Sequence, residues 1–442
     1  MNKTLLFALL GLVSFVACAN YSVLVAGSKG YENYRHQADV CHAYQSLLKK
    51  GFQAENIIVF LYNDVANNKQ NPFKGKLFNQ PNGEDVYAGC KIDYQGNDVT
   101  PKNYMSVLTG DKNAVAKIGT GRVLESTSND NVFLYFADHG APGFVAFPNN
   151  KFYANDLVNT LQKMHSKNMY NKLIYYLEAC ESGSMFVNLP ANLNIYALSA
   201  ANPTESSYAA YCGSQAKVDG KNIGSCLGDL FSVNFMEEID ATQDLEALTL
   251  QQQFEYVAKK TNMSQVMQWG DLSFVSEPVA DFLSAKSTPS KSLKSALLSL
   301  FNFSSSQSLR KVNHTDNEDD EKEIHSHESF VDARKAKIST FLHQYIQAPT
   351  AENFQKLNVE LHNDQKFQSF FDIIKTKKGE QVSNDIYGTT DFACYKNLIE
   401  AFENKCGEVP ESQYSGFRHL YEICGRAYYA AVDANELLNN VC

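Results

Sequence analysis

Short apolar segments alternate with helical patterns between residues 20 and 286, and few folds accommodate that order. Five segments are rich in β-branched and aromatic residues, as strands buried on both faces are. They occupy residues 21–26, 57–62, 132–136, 173–177 and 194–198. Between them, apolar residues recur with helical spacing, as Leu157, Leu161 and Met164 do. The alternation predicts βαβ units, and therefore an α/β fold with a mainly parallel sheet flanked by helices.

The composition changes twice after residue 286. Residues 287–329 are rich in Ser, Lys and Asn and then acidic. They lack the apolar residues that a core requires, so we expect an exposed linker. Helical spacing returns in residues 330–442, for example in the stripe Ile338, Phe341, Leu342, Tyr345 and Ile346. This C-terminal region is predicted to be all-α.

The N-terminus has the pattern of a secretory signal. Lys3 precedes an apolar run over residues 5–16, and Ala17 and Ala19 form a small-x-small cleavage site. We therefore expect a signal peptide over residues 1–19 and export of the mature chain. An uncleaved anchor is the alternative, but the run is shorter than the roughly 20 residues that a spanning helix needs. No later segment is apolar enough to span a membrane, so no membrane partner is expected.

Charge and motifs exclude several classes of partner. The chain has 39 Lys and Arg against 49 Asp and Glu, a net charge of -10, and no long basic segment, which argues against nucleic acid. It has no P-loop and no dinucleotide fingerprint. The pair His325 and His327 lies in the acidic linker without further ligands, so we expect no metal there. The sequence predicts neither a cofactor nor a metal.

The cysteines suggest an oxidising compartment. Loss of Cys18 with the signal peptide leaves nine, and an odd number leaves at least one thiol unpaired. Cys212 and Cys226 are expected to form a local disulfide, and Cys41 to be an inert thiol buried on a helix face. The C-terminal region has four cysteines, which allow three pairings: Cys394, Cys406, Cys424 and Cys442.

Reactive residues directly follow two of the predicted strands. His139 and Gly140 follow the third strand, and Cys180 follows the fourth. Carboxyl ends of parallel strands meet at one edge of a sheet, so we expect His139 and Cys180 to meet there. A thiol beside an imidazole is the pair that nucleophilic cysteine catalysis requires. The backbone N–H groups of Gly140 and Cys180 are candidate donors to an oxyanion.

Around these residues the chain resembles the legumain family of caspase-like cysteine peptidases, also called asparaginyl endopeptidases or vacuolar processing enzymes. The matching blocks occur in the same order, at residues 25–28, 33–39, 138–140, 178–184, 201–203, 205–208 and 227–229. The resemblance implies a caspase-like peptidase domain at 20–286, an activation linker at 287–329 and a helical prodomain at 330–442. The prodomain would be stapled by the pairs Cys394 with Cys424 and Cys406 with Cys442. It would cap the active site as an intramolecular inhibitor.

Carried over position by position, the resemblance implies Cys180 as the nucleophile and His139 as the general acid and base. Asn33 would orient the imidazole of His139. Five further residues would line the primary specificity pocket: Arg35, His36, Glu178, Ser207 and Asp229. An asparagine side chain offers one acceptor and one donor group, so a pocket that selects it needs donors on one side and carboxylates on the other. Glu178 and Cys180, two residues apart in an extended segment, are expected to share a face.

The implied function is that of a lysosomal, vacuolar or secreted cysteine endopeptidase, made as a zymogen, that cleaves peptides and proteins after Asn through a thioester. A protonated aspartate can imitate asparagine, so cleavage after Asp is expected only at acidic pH. Acidification would also protonate carboxylates that hold the prodomain in place. Asn302, Asn313 and Asn317 in the linker are candidate self-cleavage points.

Two other functions remain open on sequence. A transpeptidase would resolve the same thioester with an amine, and the small residues Ala141, Pro142 and Ala209 resemble loops of family members that ligate. Mass spectrometry of products formed with an added amine separates that activity from hydrolysis. A secreted binding module without catalysis would be expected to lack the nucleophile or the base, and the chain has both Cys180 and His139.

Overall fold

The computed structural model describes residues 19–285, 329–378, 390–425, 437–439 and 441–442. Several sequence predictions lie outside these residues: the signal peptide up to residue 18, nearly all of the linker, the three linker asparagines and the pair His325 and His327.

A seven-stranded sheet forms the centre of the first domain, in the order β14-β9-β8-β4-β1-β2-β3. All neighbours in it are parallel except β14, which runs antiparallel to β9. The five predicted strands are confirmed as β1, β2, β4, β8 and β9, each within one residue at either end. The strands are β1 (Asn20–Ala26), β2 (Ile57–Leu61), β3 (Tyr94–Gln95), β4 (Asn131–Ala137), β5 (Gly140–Ala141), β6 (Phe144–Phe147), β7 (Asn150–Tyr153), β8 (Lys172–Glu178), β9 (Ile195–Ser199), β10 (Tyr208–Ala210), β11 (Lys217–Val218), β12 (Lys221–Asn222), β13 (Gly228–Asp229), β14 (Met267–Gly270) and β15 (Phe330–Asp332).

Helices cover both faces of this sheet, as the α/β prediction required. Alternate residues of β1 enter opposite cores: Leu24 and Ala26 pack on one side, and Val23 and Val25 on the other. This double burial explains why the strands are almost continuously apolar. The helices are α1 (Tyr34–Lys49), α2 (Pro101–Leu108), α3 (Lys112–Val115), α4 (Ala154–Ser166), α5 (Leu230–Ala241), α6 (Leu250–Lys260), α7 (Ala280–Leu283), α8 (Ala336–Gln347), α9 (Ala351–Lys378), α10 (Phe392–Cys406) and α11 (Phe417–Ile423).

The C-terminal region is helical, as predicted, but it begins with a strand. β15 pairs antiparallel with β10 and completes the small sheet β13-β10-β15 at the edge of the first domain. Three residues are too short to show a strand pattern in the sequence, so the prediction of helices alone missed β15.

The C-terminal helices pack on the first domain through an aromatic cluster. Phe144 of β6 lies against Tyr395, Tyr414 and Phe417, with ring centroids 5.5 to 6.4 Å apart. The Tyr395 hydroxyl also donates to the carbonyl oxygen of Pro142 at 2.8 Å. The predicted stripe on α8 is only partly a packing face, since Leu342 is 46% and Ile346 64% exposed.

The predicted disulfides are present. Cys212 is bonded to Cys226, and the C-terminal pairs are Cys394 with Cys424 and Cys406 with Cys442. Within the described ranges, no helix combines the length and apolarity needed to cross a bilayer.

Candidate active site

The segments that carry His139 and Cys180 meet at the carboxyl edge of the sheet. β4 and β8 are adjacent and parallel, and the Asp138 amide donates to the Glu178 carbonyl at 3.1 Å just beyond them. A Cβ placed on Gly140 would lie 2.1 Å from the carbonyl oxygen of Cys180. Only glycine permits so close a contact, and it brings the two strand ends together as the sequence predicted.

Asn33 fixes the orientation of the His139 ring. It precedes α1, and its Oδ1 lies 2.8 Å from His139 Nε2. Its Nδ2 faces two acceptors, the Lys29 carbonyl at 3.1 Å and Glu411 Oε1 at 3.4 Å, which assigns the orientation of the amide. An amide oxygen only accepts, so Nε2 carries the proton and Nδ1 keeps the lone pair. Among the described residues, Nδ1 has no hydrogen-bond partner.

Cys180 and His139 are both uncharged in this arrangement. Cys180 is 1% exposed, and its Sγ accepts from the Ser207 amide at 3.3 Å. Burial raises the pKa of Cys180, although the Arg334 charge acts in the opposite direction. Burial lowers the pKa of His139 to about 3. A site shielded from water disfavours both ions, so this arrangement holds a thiol and a neutral imidazole.

Arg35 and His36 extend from the start of α1 towards Asp229. Arg35 Nε donates to Asp229 Oδ1 at 2.8 Å in a fully buried ion pair. His36 Nε2 lies 3.4 Å from Asp229 Oδ2, and its Nδ1 lies 2.7 Å from Ser28 Oγ. Burial holds the pKa of His36 well below its usual value. His36 is therefore a neutral polar group here, and Arg35 is the cation.

Glu178 and Ser207 connect this ion pair to the thiol. Glu178 Oε2 accepts from the Ser232 amide at 3.0 Å and from the Ser232 hydroxyl at 2.9 Å. Ser207 lies against Cys180, with its amide donating to Sγ at 3.3 Å and its Oγ 3.8 Å from the same sulfur. Two buried atoms, Arg35 Nη2 and Glu178 Oε1, have no hydrogen-bond partner in the described part of the chain.

The acidic groups of the site include one that the sequence reasoning missed. Asp39 of α1 accepts from the amide of Asp229 at 3.2 Å. Burial raises the pKa of Asp39, Asp229 and Glu178, and mutual repulsion adds to the shifts of Asp39 and Glu178. Asp39 lies in the matching block 33–39, which was the signal available in the sequence.

One cluster could hold a metal ion by geometry. His36, Asp138 and His139 each offer one ligand atom, and these atoms lie within 4.8 Å of one another. It is the one such group of three in the ranges the structure covers. Nucleophilic catalysis by a thiol and an imidazole requires no metal.

Two arginines of the C-terminal region bind a carboxylate next to Cys180. Arg334 Nη2 lies 2.8 Å from Glu181 Oε2, and Arg418 Nη2 lies 2.7 Å from Glu181 Oε1. The Glu181 side chain is only 1% exposed. The tail as a whole is slightly acidic, so its net charge gave no indication of this local pairing.

A second contact reaches the Asn33–His139 pair itself. Glu411 is held between Asn33 Nδ2 and Lys337 Nζ, the latter 3.6 Å from its Oε2. Burial raises the pKa of Glu411, but His139, Lys337 and Asn33 together outweigh it, and the net shift is downward. The Tyr414 ring stands over His139 with the ring centroids 6.5 Å apart. The C-terminal region therefore covers the site from above.

The amino-acid sequence is similar to those of known proteins. The Peptidase C13 family model matches residues 20–287. The hemoglobinase of Schistosoma mansoni is 38% identical, over 96% of this chain and 91% of that protein. The vacuolar-processing enzyme of Citrus sinensis is 36% identical, over 91% and 81%. The legumain of Homo sapiens is 48% identical over 267 residues, which span 60% of each protein. A caspase-1 structure from Spodoptera frugiperda aligns with a TM-score of 0.34 and 9% identity over 59% of this chain and 90% of its own, too weak a likeness for any inference.

A thiol and an imidazole that follow neighbouring strands of an α/β sheet place the chain in the class of cysteine peptidases. The family match covers more than half of the chain, and the hemoglobinase match covers nearly all of it. The chain belongs to the peptidase C13 family and is a cysteine endopeptidase.

Proposed function

We propose that the chain is the zymogen of an endopeptidase that cleaves after asparagine. The pair of unsatisfied atoms in the pocket is the observation that carries the specificity. Arg35 Nη2 offers a donor and the ionised form of Glu178 offers an acceptor at Oε1, and both atoms are buried and without partners among the described residues. An asparagine carboxamide has an acceptor oxygen and a donor nitrogen to satisfy both, and leaving them unpaired costs about 1–3 kcal/mol each.

The proposed mechanism uses the groups in the order that their geometry favours. His139 Nδ1 takes the proton of the Cys180 thiol, and the sulfur attacks the carbonyl carbon that follows the bound asparagine. The amides of Gly140 and Cys180 stabilise the oxyanion. The C–N bond breaks as His139 returns the proton to the leaving amine, and water then hydrolyses the thioester. Asn33 keeps the Nε2–H tautomer in place throughout.

The C-terminal region acts as the inhibitor in this proposal. Cys180 and His139 are 1% and 4% exposed with it in place, so a peptide cannot reach them until it moves. Cleavage in the linker at residues 287–329 and acid would release it. A secretory and lysosomal or vacuolar location fits the three disulfides, which form in oxidising compartments. Asn20 begins a glycosylation sequon, Asn20-Tyr21-Ser22, but it is unsuited to carry a glycan because its side-chain amide is buried and donates to the Ser284 carbonyl.

The test is to acidify the purified precursor, sequence the new termini and assay matched Asn, Asp and Gln peptides from pH 4 to 7. We expect cleavage after Asn across the range, cleavage after Asp only as the pH falls, and none after Gln. The Cys180→Ala variant should bind the Asn peptide without turnover. Equal cleavage after Asp at pH 7 and at pH 4.5 would contradict the proposed pocket, and turnover by Cys180→Ala would contradict the nucleophile.

A further inference from the structure

Two cysteines of the first domain, outside the active site, lie next to each other. Cys41 lies on α1 and is fully buried, and Cys90 lies in the long connection between β2 and β3, partly exposed. Their sulfur atoms are 2.7 Å apart. Two non-bonded sulfurs repel at that separation, whereas a disulfide brings them to about 2.05 Å. A shift of well under 1 Å converts this contact into a bond.

We propose that Cys41 and Cys90 form a fourth disulfide in the exported protein. The three disulfides already present are typical of a chain that folds where thiols are oxidised. Nine cysteines follow residue 18, and the four pairs use eight of them. The cysteine left over is Cys180, the proposed nucleophile. The odd cysteine count is then explained by the one thiol that must stay reduced.

The bond forms by ordinary thiol–disulfide exchange. The partly exposed Cys90 thiolate attacks a disulfide of the secretory pathway, either a protein oxidoreductase or oxidised glutathione, and gives a mixed disulfide. Cys41 then attacks the Cys90 sulfur and expels the second thiol. Two protein thiols become one disulfide, and the oxidant is reduced to two thiols.

The position of the bond gives it a role beside the specificity pocket. The connection that carries Cys90 also carries Asn79, whose amide donates to Asp39 Oδ1 at 2.7 Å and to the Leu227 carbonyl at 2.9 Å. Asp39 in turn accepts from the Asp229 amide. The disulfide would fasten this connection to α1, from which Arg35 and Asp39 extend, and would hold the pocket wall in place.

The test is a thiol map of the secreted precursor, denatured without reductant, alkylated with iodoacetamide and digested. We expect a Cys41–Cys90 linked peptide and alkylation of Cys180. Recovery of Cys41 and Cys90 as alkylated peptides, or linked to other cysteines, would overturn the proposal. The Cys41→Ala variant adds a direct check, because Cys90 should become alkylated in it and not in the parent protein.

A second measurement addresses the role of the bond. The variant Cys41→Ala/Cys90→Ala should melt about 5–10 °C lower than the parent, in line with loss of a disulfide that closes a loop of this length. The activated variant should retain Cys180 turnover, with a higher KM for the Asn peptide. An unchanged melting temperature together with an unchanged KM would contradict this role, whereas the thiol map decides on the bond itself.

Discussion

At the scale of single residues, the contacts around His139 and Cys180 explain both how these side chains are oriented and why they are uncharged. Asn33 selects the His139 tautomer that leaves Nδ1 free, and Ser207 holds the thiol through its amide. Yet burial keeps both reacting groups neutral, since the pKa of His139 is lowered to about 3 and that of Cys180 is raised. In the proposed zymogen, the burial of Cys180 and His139 would also deny access to substrate and water.

Replacing Asn33 tests whether this residue orients the His139 ring or binds the substrate. In the activated enzyme, Asn33→Ala should lower kcat about 10- to 100-fold with little change in KM, because the ring loses the acceptor that fixes its tautomer. Asn33→Asp supplies a carboxylate that favours the imidazolium and should move the acidic limb of the pH–rate profile to higher pH. A raised KM with unchanged kcat in Asn33→Ala would instead place Asn33 in substrate binding.

Glu178 should make the stability of the precursor depend on pH. Burial, and next the Asp229 charge, raise its pKa to about 8, so the folded state binds a proton that the unfolded chain has released. This contribution is fully present below about pH 4.5 and is lost as the pH rises through about 8. Glu178→Gln should therefore flatten the fall of the melting temperature between pH 5 and 8.

A matched control for Glu178 lies on α5. Burial also raises the pKa of Glu238 to about 8. Glu238→Gln should flatten the stability profile in the same way and leave cleavage after Asn unchanged, whereas Glu178→Gln should also impair that cleavage. Equal cleavage after Asn by the two variants would show that Glu178 does not take part in the specificity pocket.

At the scale of elements, the sequence predicted what local pattern determines. β1, β4 and β8 are buried on both faces, so their apolar runs identify them without knowledge of their neighbours. The parallel pairing of β4 and β8 then places the segments that carry His139 and Cys180 side by side. β15 and the ion pairs of Arg334 and Arg418 with Glu181 could not be predicted, because each depends on partners more than a hundred residues away in the sequence.

The ion pairs of Arg334 and Arg418 with Glu181, here called the arginine clamp, should control docking of the C-terminal region on the first domain. Removing a partner from a buried ion pair leaves an uncompensated charge and costs about 3–5 kcal/mol. The precursor variant Arg334→Gln/Arg418→Gln should therefore show activity on an Asn peptide at pH 7, where the parent is silent, and faster nicking by an added protease. Lys356→Gln, which breaks an exposed pair with Glu352 on α9, is the control and should stay silent. A silent double variant would contradict a docking role for the clamp.

At the scale of the whole molecule, capping and protonation are linked through His139. The docked state holds its pKa near 3, against an ordinary value of about 6.5, so docking opposes protonation of the imidazole. A lowered pKa in the docked state means that this state loses stability as the pH falls from about 6.5 towards 3. This lowering of the His139 pKa can reduce the stability of the docked state by at most about 4–5 kcal/mol. Glu411, whose pKa is also lowered, adds a loss of the same sign below about pH 4.5.

Acid release of the cap should therefore follow two groups in separate pH windows. In a Cys180→Ala background with the linker cut, we expect the C-terminal region to dissociate with falling pH, measured by size-exclusion chromatography. His139→Gln should flatten the profile between pH 6.5 and 4.5, and Glu411→Gln should flatten it below pH 4.5. His165→Gln is the matched histidine control, because His165 lies on α4 beside Tyr170, both in the first domain, and its loss should leave the profile unchanged. If His139→Gln released the cap with the parent profile while Glu411→Gln did not, the trigger would lie in the carboxylates alone, and the coupling of docking to the catalytic imidazole would be refuted.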